Sequence, residues 1–107
     1  PQDNGNHEDC SYIERTNKNG KNALHVIAVG DTPLSFSALP YSVADLYAAR
    51  HDFELKQSGN PNLRYTYLSL DCAVLGLGNS SCGPGVLKKY AIDKTRSYTL
   101  HFKMRIL

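Results

Sequence analysis

At 107 residues the chain holds one hydrophobic core at most, and a hydrophobic content of 41% is enough to build one, which argues against disorder. Twelve basic against ten acidic residues leave a formal charge of +2. These charges are scattered, not gathered into the basic face that nucleic-acid binding needs, and no apolar run reaches membrane-spanning length.

Seven tyrosines and three phenylalanines, with no tryptophan, suit sheets. The chain starts at Pro1 with neither an initiator methionine nor a signal-peptide pattern, so a piece cut from a longer protein is expected. Residues 10–16 read as extended, and Asn17-Lys18-Asn19-Gly20 as a turn whose Asn-Gly pair tolerates the positive φ of a hairpin. A strand follows over residues 23–29, apolar except for His25. Gly30-Asp31-Thr32-Pro33 makes the next turn, and residues 34–38 a short strand with Leu34, Phe36 and Ala38 on one face.

One short helix is predicted beyond Pro40, over residues 43–49. Ser42 is its N-cap, and Asp45 stands three residues later, where a capping-box acid belongs and where the helix dipole favours negative charge. Val43, Leu46 and Tyr47 share a helical face that would lie flat on a sheet edge. Residues 53–56 read as a strand and Ser58-Gly59-Asn60-Pro61-Asn62 as a turn. Over residues 63–71, Arg64, Thr66, Leu68 and Leu70 alternate with Tyr65, Tyr67, Ser69 and Asp71.

Residues 76–85, Gly-Leu-Gly-Asn-Ser-Ser-Cys-Gly-Pro-Gly, cannot form a helix interior or a paired strand. This small-residue loop, bracketed by apolar segments, is where a sheet would present backbone and the Cys82 side chain to something else. A strand is predicted over residues 86–92, with Lys88-Lys89 on a solvated edge, and then the turn Asp93-Lys94-Thr95-Arg96. In the last strand Tyr98, Leu100, Phe102, Met104 and Ile106 face one way, towards a core, and Thr99, His101, Lys103 and Arg105 the other. No βαβ alternation or repeat appears, so the predicted fold is all-β, an antiparallel β-sandwich with one short helix, in a single domain over residues 1–107.

Chemistry is sparse. Cys10, Cys72 and Cys82 match no zinc spacing, His7 and Cys10 lack a second ligand pair and read as a surface loop, and the cysteines do not fix a compartment. A cysteine nucleophile needs a nearby base; His25 and His101 are the candidates, and the bland alternative makes Cys72 a core residue. Glycoside hydrolysis needs two opposed carboxyl groups, and Glu8, Glu14 and Glu54 form no recognisable pair. Gly76-Leu77-Gly78 lacks the Gly-Lys-Ser/Thr and following helix of a phosphate loop.

Three separated motifs in register carry a resemblance: residues 1–6 (Pro-Gln-Asp-Asn-Gly-Asn), Leu34-Ser35-Phe36-Ser37-Ala38 with Tyr41, and Gly76-Leu77-Gly78 with Ser81-Cys82-Gly83-Pro84-Gly85. The chain resembles, over nearly its whole length, the C-terminal part of the last (small-chain) domain of lacZ-like β-galactosidases of glycoside hydrolase family 2. That resemblance implies part of an antiparallel super-sandwich akin to the galactose mutarotase fold, in an enzyme that hydrolyses terminal β-D-galactosides. The catalytic glutamates would lie in an upstream (β/α)₈ barrel, so no catalytic residue is expected here. Mg and Na ions of the parent would be bound outside this segment, with no cofactor or metal on it. Partners would be the rest of the parent chain, its β-galactoside substrate and other subunits of an oligomer, with no nucleic acid or membrane, in the cytoplasm or periplasm of a bacterium.

The resemblance also implies that the residue at Cys82, often tryptophan in the family, borders the sugar leaving group. A thiol offers a far smaller apolar contact than an indole face. Two other readings stand beside it: a free-standing carbohydrate-binding or protein-interaction β-sandwich, whose candidate stacking row would be Tyr65 and Tyr67, and a thiol enzyme using Cys82.

Overall fold

A computed structural model describes residues 5–21, 23–55, 65–76 and 82–107. Their elements, in order, are β1 (His7–Cys10), β2 (Tyr12–Thr16), β3 (Ala23–Ala28), β4 (Leu34–Leu39), α1 (Val43–Ala48), α2 (Asp52–Leu55), β5 (Tyr67–Asp71) and β6 (Phe102–Ile106), with a 3₁₀ turn at Lys88–Tyr90 before β6. The strands form two three-stranded sheets, ordered β1-β4-β5 and β2-β3-β6. The class is all-β and antiparallel, as the period-2 patterns predict. By its contacts the chain divides into one unit of residues 1–8 and 36–70 and another of residues 9–35 and 71–107.

The second unit holds the best-defined sheet. Asn17 and Gly20 close the β2–β3 hairpin: the Gly20 amide donates to the Asn17 carbonyl at 3.0 Å, and Gly20 takes a φ of +66°. The Asn17 side-chain oxygen accepts from the amides of Asn19 and Lys21 at 3.1 and 3.0 Å. This turn sets an antiparallel register in which Ile13 faces Val26 and Glu14 faces His25. On the far side of β3, Leu24 faces Ile106 and Val26 faces Met104. Reciprocal bonds between Ala23 and Leu107 and a bond from Val29 to the His101 carbonyl lengthen that ladder. Val26, on the central strand, is wholly buried, with Ile13 beside it on the same face; Leu34 is the unit's other buried hydrophobic side chain among the described residues.

In the first unit, α1 begins as predicted. The Ser42 hydroxyl accepts from the Asp45 amide at 3.1 Å, and the Asp45 carboxylate accepts from the Ser42 amide at 2.9 Å, completing a capping box. Leu55 is this unit's buried side chain among the described residues, and the His7 ring stacks on Phe36 at 5.0 Å.

Several elements depart from expectation, each for a local reason. The extended run at 10–16 begins earlier and divides: β1 carries His7 and Cys10, which were expected in a loop, and Ser11 separates it from β2. Asp9 takes a left-handed φ of +56°, which an aspartate tolerates and a continuous ladder does not. The strand expected at 53–56 is instead α2, where the Glu54 carboxylate accepts from the Arg50 amide at 2.8 Å and holds the turn; Lys56 lies outside the described residues. Among the described residues there are therefore two α-helices, not one.

The strand expected at 86–92 is replaced by the 3₁₀ turn, because the Tyr90 and Ala91 amides bond locally to the Leu87 and Lys88 carbonyls. Val43 and Tyr47, expected to lie on a sheet, face solvent. So does much of the row running from Tyr98 to Ile106: Phe102 is half-buried, but Met104 is 51% and Ile106 80% exposed. β6 is an edge strand, and apolar side chains there need cover from beyond their own sheet. The turn at 58–62, the start of the run at 63–71, the first four residues and the loop residues 77–81 lie outside the described residues.

Candidate functional site

β5 delivers the chain through Asp71 to the glycine-rich loop, whose described limbs are residues 73–76 and 82–87. A main-chain bond closes its base: the Gly76 amide donates to the Tyr90 carbonyl at 2.9 Å. The approach is so close that a Cβ on Gly76 would stand 2.8 Å from the Tyr90 Cβ and 3.2 Å from both the Tyr90 carbonyl oxygen and Val86 Cγ1. Gly76 is needed there for space, since its φ is not in the left-handed region. The 3₁₀ turn then points Tyr90 back at the neck, and the Lys89 ammonium sits 4.5 Å from the Tyr90 ring centroid.

Cys82 lies at the turn beyond the undescribed residues, as an exposed free thiol. It has no hydrogen-bonded histidine among the described residues. His25 is engaged elsewhere: its Nδ1 is 2.8 Å from the Tyr12 hydroxyl and its Nε2 3.4 Å from Glu14 Oε2. His101 is exposed on the approach to β6, its carbonyl taken by Val29. Among the described residues, then, no histidine is hydrogen-bonded to the Cys82 thiol to serve as its base. Cys72 is half-buried, not deep in a core.

The Tyr12–Glu14–His25 cluster was not foreseen. Tyr12 donates its hydroxyl proton to Glu14 at 2.7 Å, so His25 must donate to the same hydroxyl. The bond to Glu14, with burial and the negative charge of Glu14 adding to it, raises the Tyr12 pKa above its ordinary value. The signal for it lay in the register: with the hairpin set at Asn19-Gly20, Glu14 and His25 become cross-strand neighbours. The group is a surface pairing between neighbouring strands.

No opposed acid pair emerges among the described residues either. Asp45 is spent on the Ser42 cap and Glu54 on the Arg50 amide, although both border one shallow cleft with Ala48, Ala49 and Leu55. Glu14 is held by Tyr12, and Glu8 lies on β1. No three His, Cys, Asp or Glu side chains among the described residues gather where a metal could be held. The stacking row fares poorly too, with Tyr65 exposed but Tyr67 half-buried.

The fold and site define a sheet domain that offers a shaped loop without acid–base machinery of its own among the described residues. Residues 1–105 match the family described as the β-galactosidase small chain, and the chain belongs to that family. Similar proteins include a β-galactosidase of Actinobacillus pleuropneumoniae, 32% identical over 98% of this chain and 9% of its own length. The β-galactosidase BgaC of Bifidobacterium adolescentis is 31% identical over 99% of this chain and 10% of its own length. A β-galactosidase of Kluyveromyces lactis is 30% identical over 97% of this chain and 9% of its own length. The chain spans about a tenth of the length of these relatives. No solved structure matches it.

Proposed function

We propose that the chain is the C-terminal part of the last domain of a β-galactosidase that hydrolyses terminal non-reducing β-D-galactosides such as lactose. In this reading it supports the catalytic barrel and, through the loop at residues 76–85, lines the aglycone side of the active site. Its catalytic carboxylates belong to the remainder of the parent chain, and the segment alone is inactive. The observation that carries the reading is the family match over residues 1–105, in a chain that covers only 9–10% of its relatives.

Surface area supports it. Few of the chain's described apolar side chains are buried. Its buried hydrophobic residues among those described are Ile13, Val26, Leu34 and Leu55, while Tyr47, Phe53, Met104 and Ile106 are all more than half exposed. A chain of this kind is completed by other polypeptide. We take that to be the rest of the parent and, beyond it, further subunits.

Cys82 is the residue assigned to the aglycone. An exposed thiol offers a small, soft contact, in place of the broad ring face that would grip a sugar. Two measurements test the function. The purified chain should leave a chromogenic galactoside intact, and turnover by the chain alone would refute the assignment of catalysis to the parent. In the parent enzyme, Cys82→Ala should alter rates for substrates that differ in leaving group; unchanged discrimination would remove Cys82 from the site.

A further inference from the structure

We propose that the outer edge of β6 is a strand-addition site, and that its occupant is an extended segment of the parent chain, outside residues 1–107, that alternates apolar and acidic side chains. The inference rests on the reading of the chain as part of a larger β-galactosidase, and it names the chemistry of the polypeptide that completes it. The backbone fixes which groups are on offer. Ala23 and Leu107 exchange both main-chain bonds, and the Val29 amide donates to the His101 carbonyl. In an antiparallel ladder such bonds recur at every second residue, so Lys103 and Arg105, like His101 and Leu107, direct their amides and carbonyls to β3. Phe102, Met104 and Ile106 turn theirs away from the sheet, where no strand pairs with them among the described residues. The Ala28 amide donates to the Ser11 carbonyl, which fits the same alternation: Leu24, Val26 and Ala28 bond towards β2, and the residues between them towards β6.

The side chains give the occupant its pattern. Phe102, Met104 and Ile106 share a face with Leu24 and Val26. Val26 is sealed there while Met104 and Ile106 are exposed, so burial fails towards the open edge. Apolar side chains opposite these residues extend the buried face. Lys103 and Arg105 lie on the other face, both exposed, and neither joins an ion pair among the described residues. Glu14, on that same face, is taken by Tyr12 and His25. In an added antiparallel strand, the residues opposite Lys103 and Arg105 form the non-hydrogen-bonded pairs, where side chains stand closest. Carboxylates at those positions neutralise both cations. A second copy fits worse, because two β6 edges paired antiparallel about Met104 set Lys103 of one copy against Arg105 of the other. The chain spans about a tenth of its relatives' length, so the parent has ample further polypeptide to supply the strand.

The experiment uses the full-length parent enzyme in its native assembly. Amide hydrogen exchange, read residue by residue, should find Phe102, Met104 and Ile106 slower by about tenfold or more than unpaired edge amides. A water-soluble carbodiimide, which joins an amine to a carboxylate in contact with it, should link Lys103 to an Asp or Glu outside residues 1–107, identified by mass spectrometry of the joined peptides. Lys103→Arg keeps the charge but removes the amine, and should abolish the link while leaving the protection. Reversing both charges with Lys103→Glu and Arg105→Glu should speed exchange at Met104 and Ile106.

Fast exchange at the three amides of the unmodified enzyme overturns the added strand. An unlinked Lys103, or one linked only within this segment or to its copy in another subunit, overturns the acidic occupant and with it the proposal. Exchange left unchanged by charge reversal does the same. Any of these results in a parent that hydrolyses a chromogenic galactoside leaves the galactosidase reading standing. A protected, linked edge in a parent that does not hydrolyse it supports the edge and refutes that reading instead.

Discussion

Tyr12 shows how one hydrogen bond, helped by partial desolvation, alters the chemistry of a largely exposed residue. Its hydroxyl bonds to Glu14, and ionising it would lose that bond and set two negative charges together. Its folded pKa is raised, so the stabilisation is whole below the unfolded value and is lost as pH rises through the folded one. In an alkaline absorbance titration, the difference between the protein and its Tyr12→Phe variant should therefore titrate above 10, the ordinary value. Asp93 runs the other way. Its carboxylate accepts from the Thr95 hydroxyl at 2.6 Å and amide at 2.8 Å, which lowers its pKa. That stabilisation is present above the unfolded value near 3.8 and disappears as pH falls through the lowered one. Thr95→Val should bring the Asp93 carboxyl resonance back towards ordinary titration in an NMR pH series.

At the scale of elements, what the sequence showed best were the structures made by neighbours in the chain. Ser42 and Asp45 announce the start of α1, and the capping box is there. Ser42→Ala should cost about 1 kcal/mol of unfolding free energy, measured by urea denaturation. Asn19-Gly20 announces the β2–β3 hairpin, and the register follows from it. The errors have a common origin. Residues 53–55 and 86–92 carry the apolar and aromatic content of strands but pair with no strand among the described residues, so bonds to nearby residues, from Arg50 to Glu54 and from Tyr90 to Leu87, prevail over β-propensity. The site divides in the same way. The loop and Cys82 could be read from glycine, proline and the resemblance, whereas the neck could not, because Gly76 and Tyr90 meet only after the chain has turned back.

For the whole molecule the decisive quantity is apolar surface left in water. Leu34 belongs to the small buried set, and Leu34→Ala should lower stability by about 2–5 kcal/mol, a large share of what so small a core can supply. Met104 and Ile106, by contrast, project from an edge strand whose other side has no partner among the described residues. A free edge flanked by exposed aliphatic side chains favours pairing with another chain. The isolated chain should self-associate in sedimentation equilibrium, and Ile106→Lys should shift it towards monomer. A stable wild-type monomer at high concentration would contradict the view that other polypeptide completes this surface.

The alternating apolar residues and the turn signals determined by themselves that this is an all-β protein, where its hairpin bends and where its main helix starts, because those features depend on residues within a few positions of one another. Which apolar rows are buried was decided only by the tertiary structure. Val26 and Met104 face each other on one side of one sheet, yet one is sealed and the other half exposed. Burial depends on what packs over a strand, and the pattern along the strand carries no record of that.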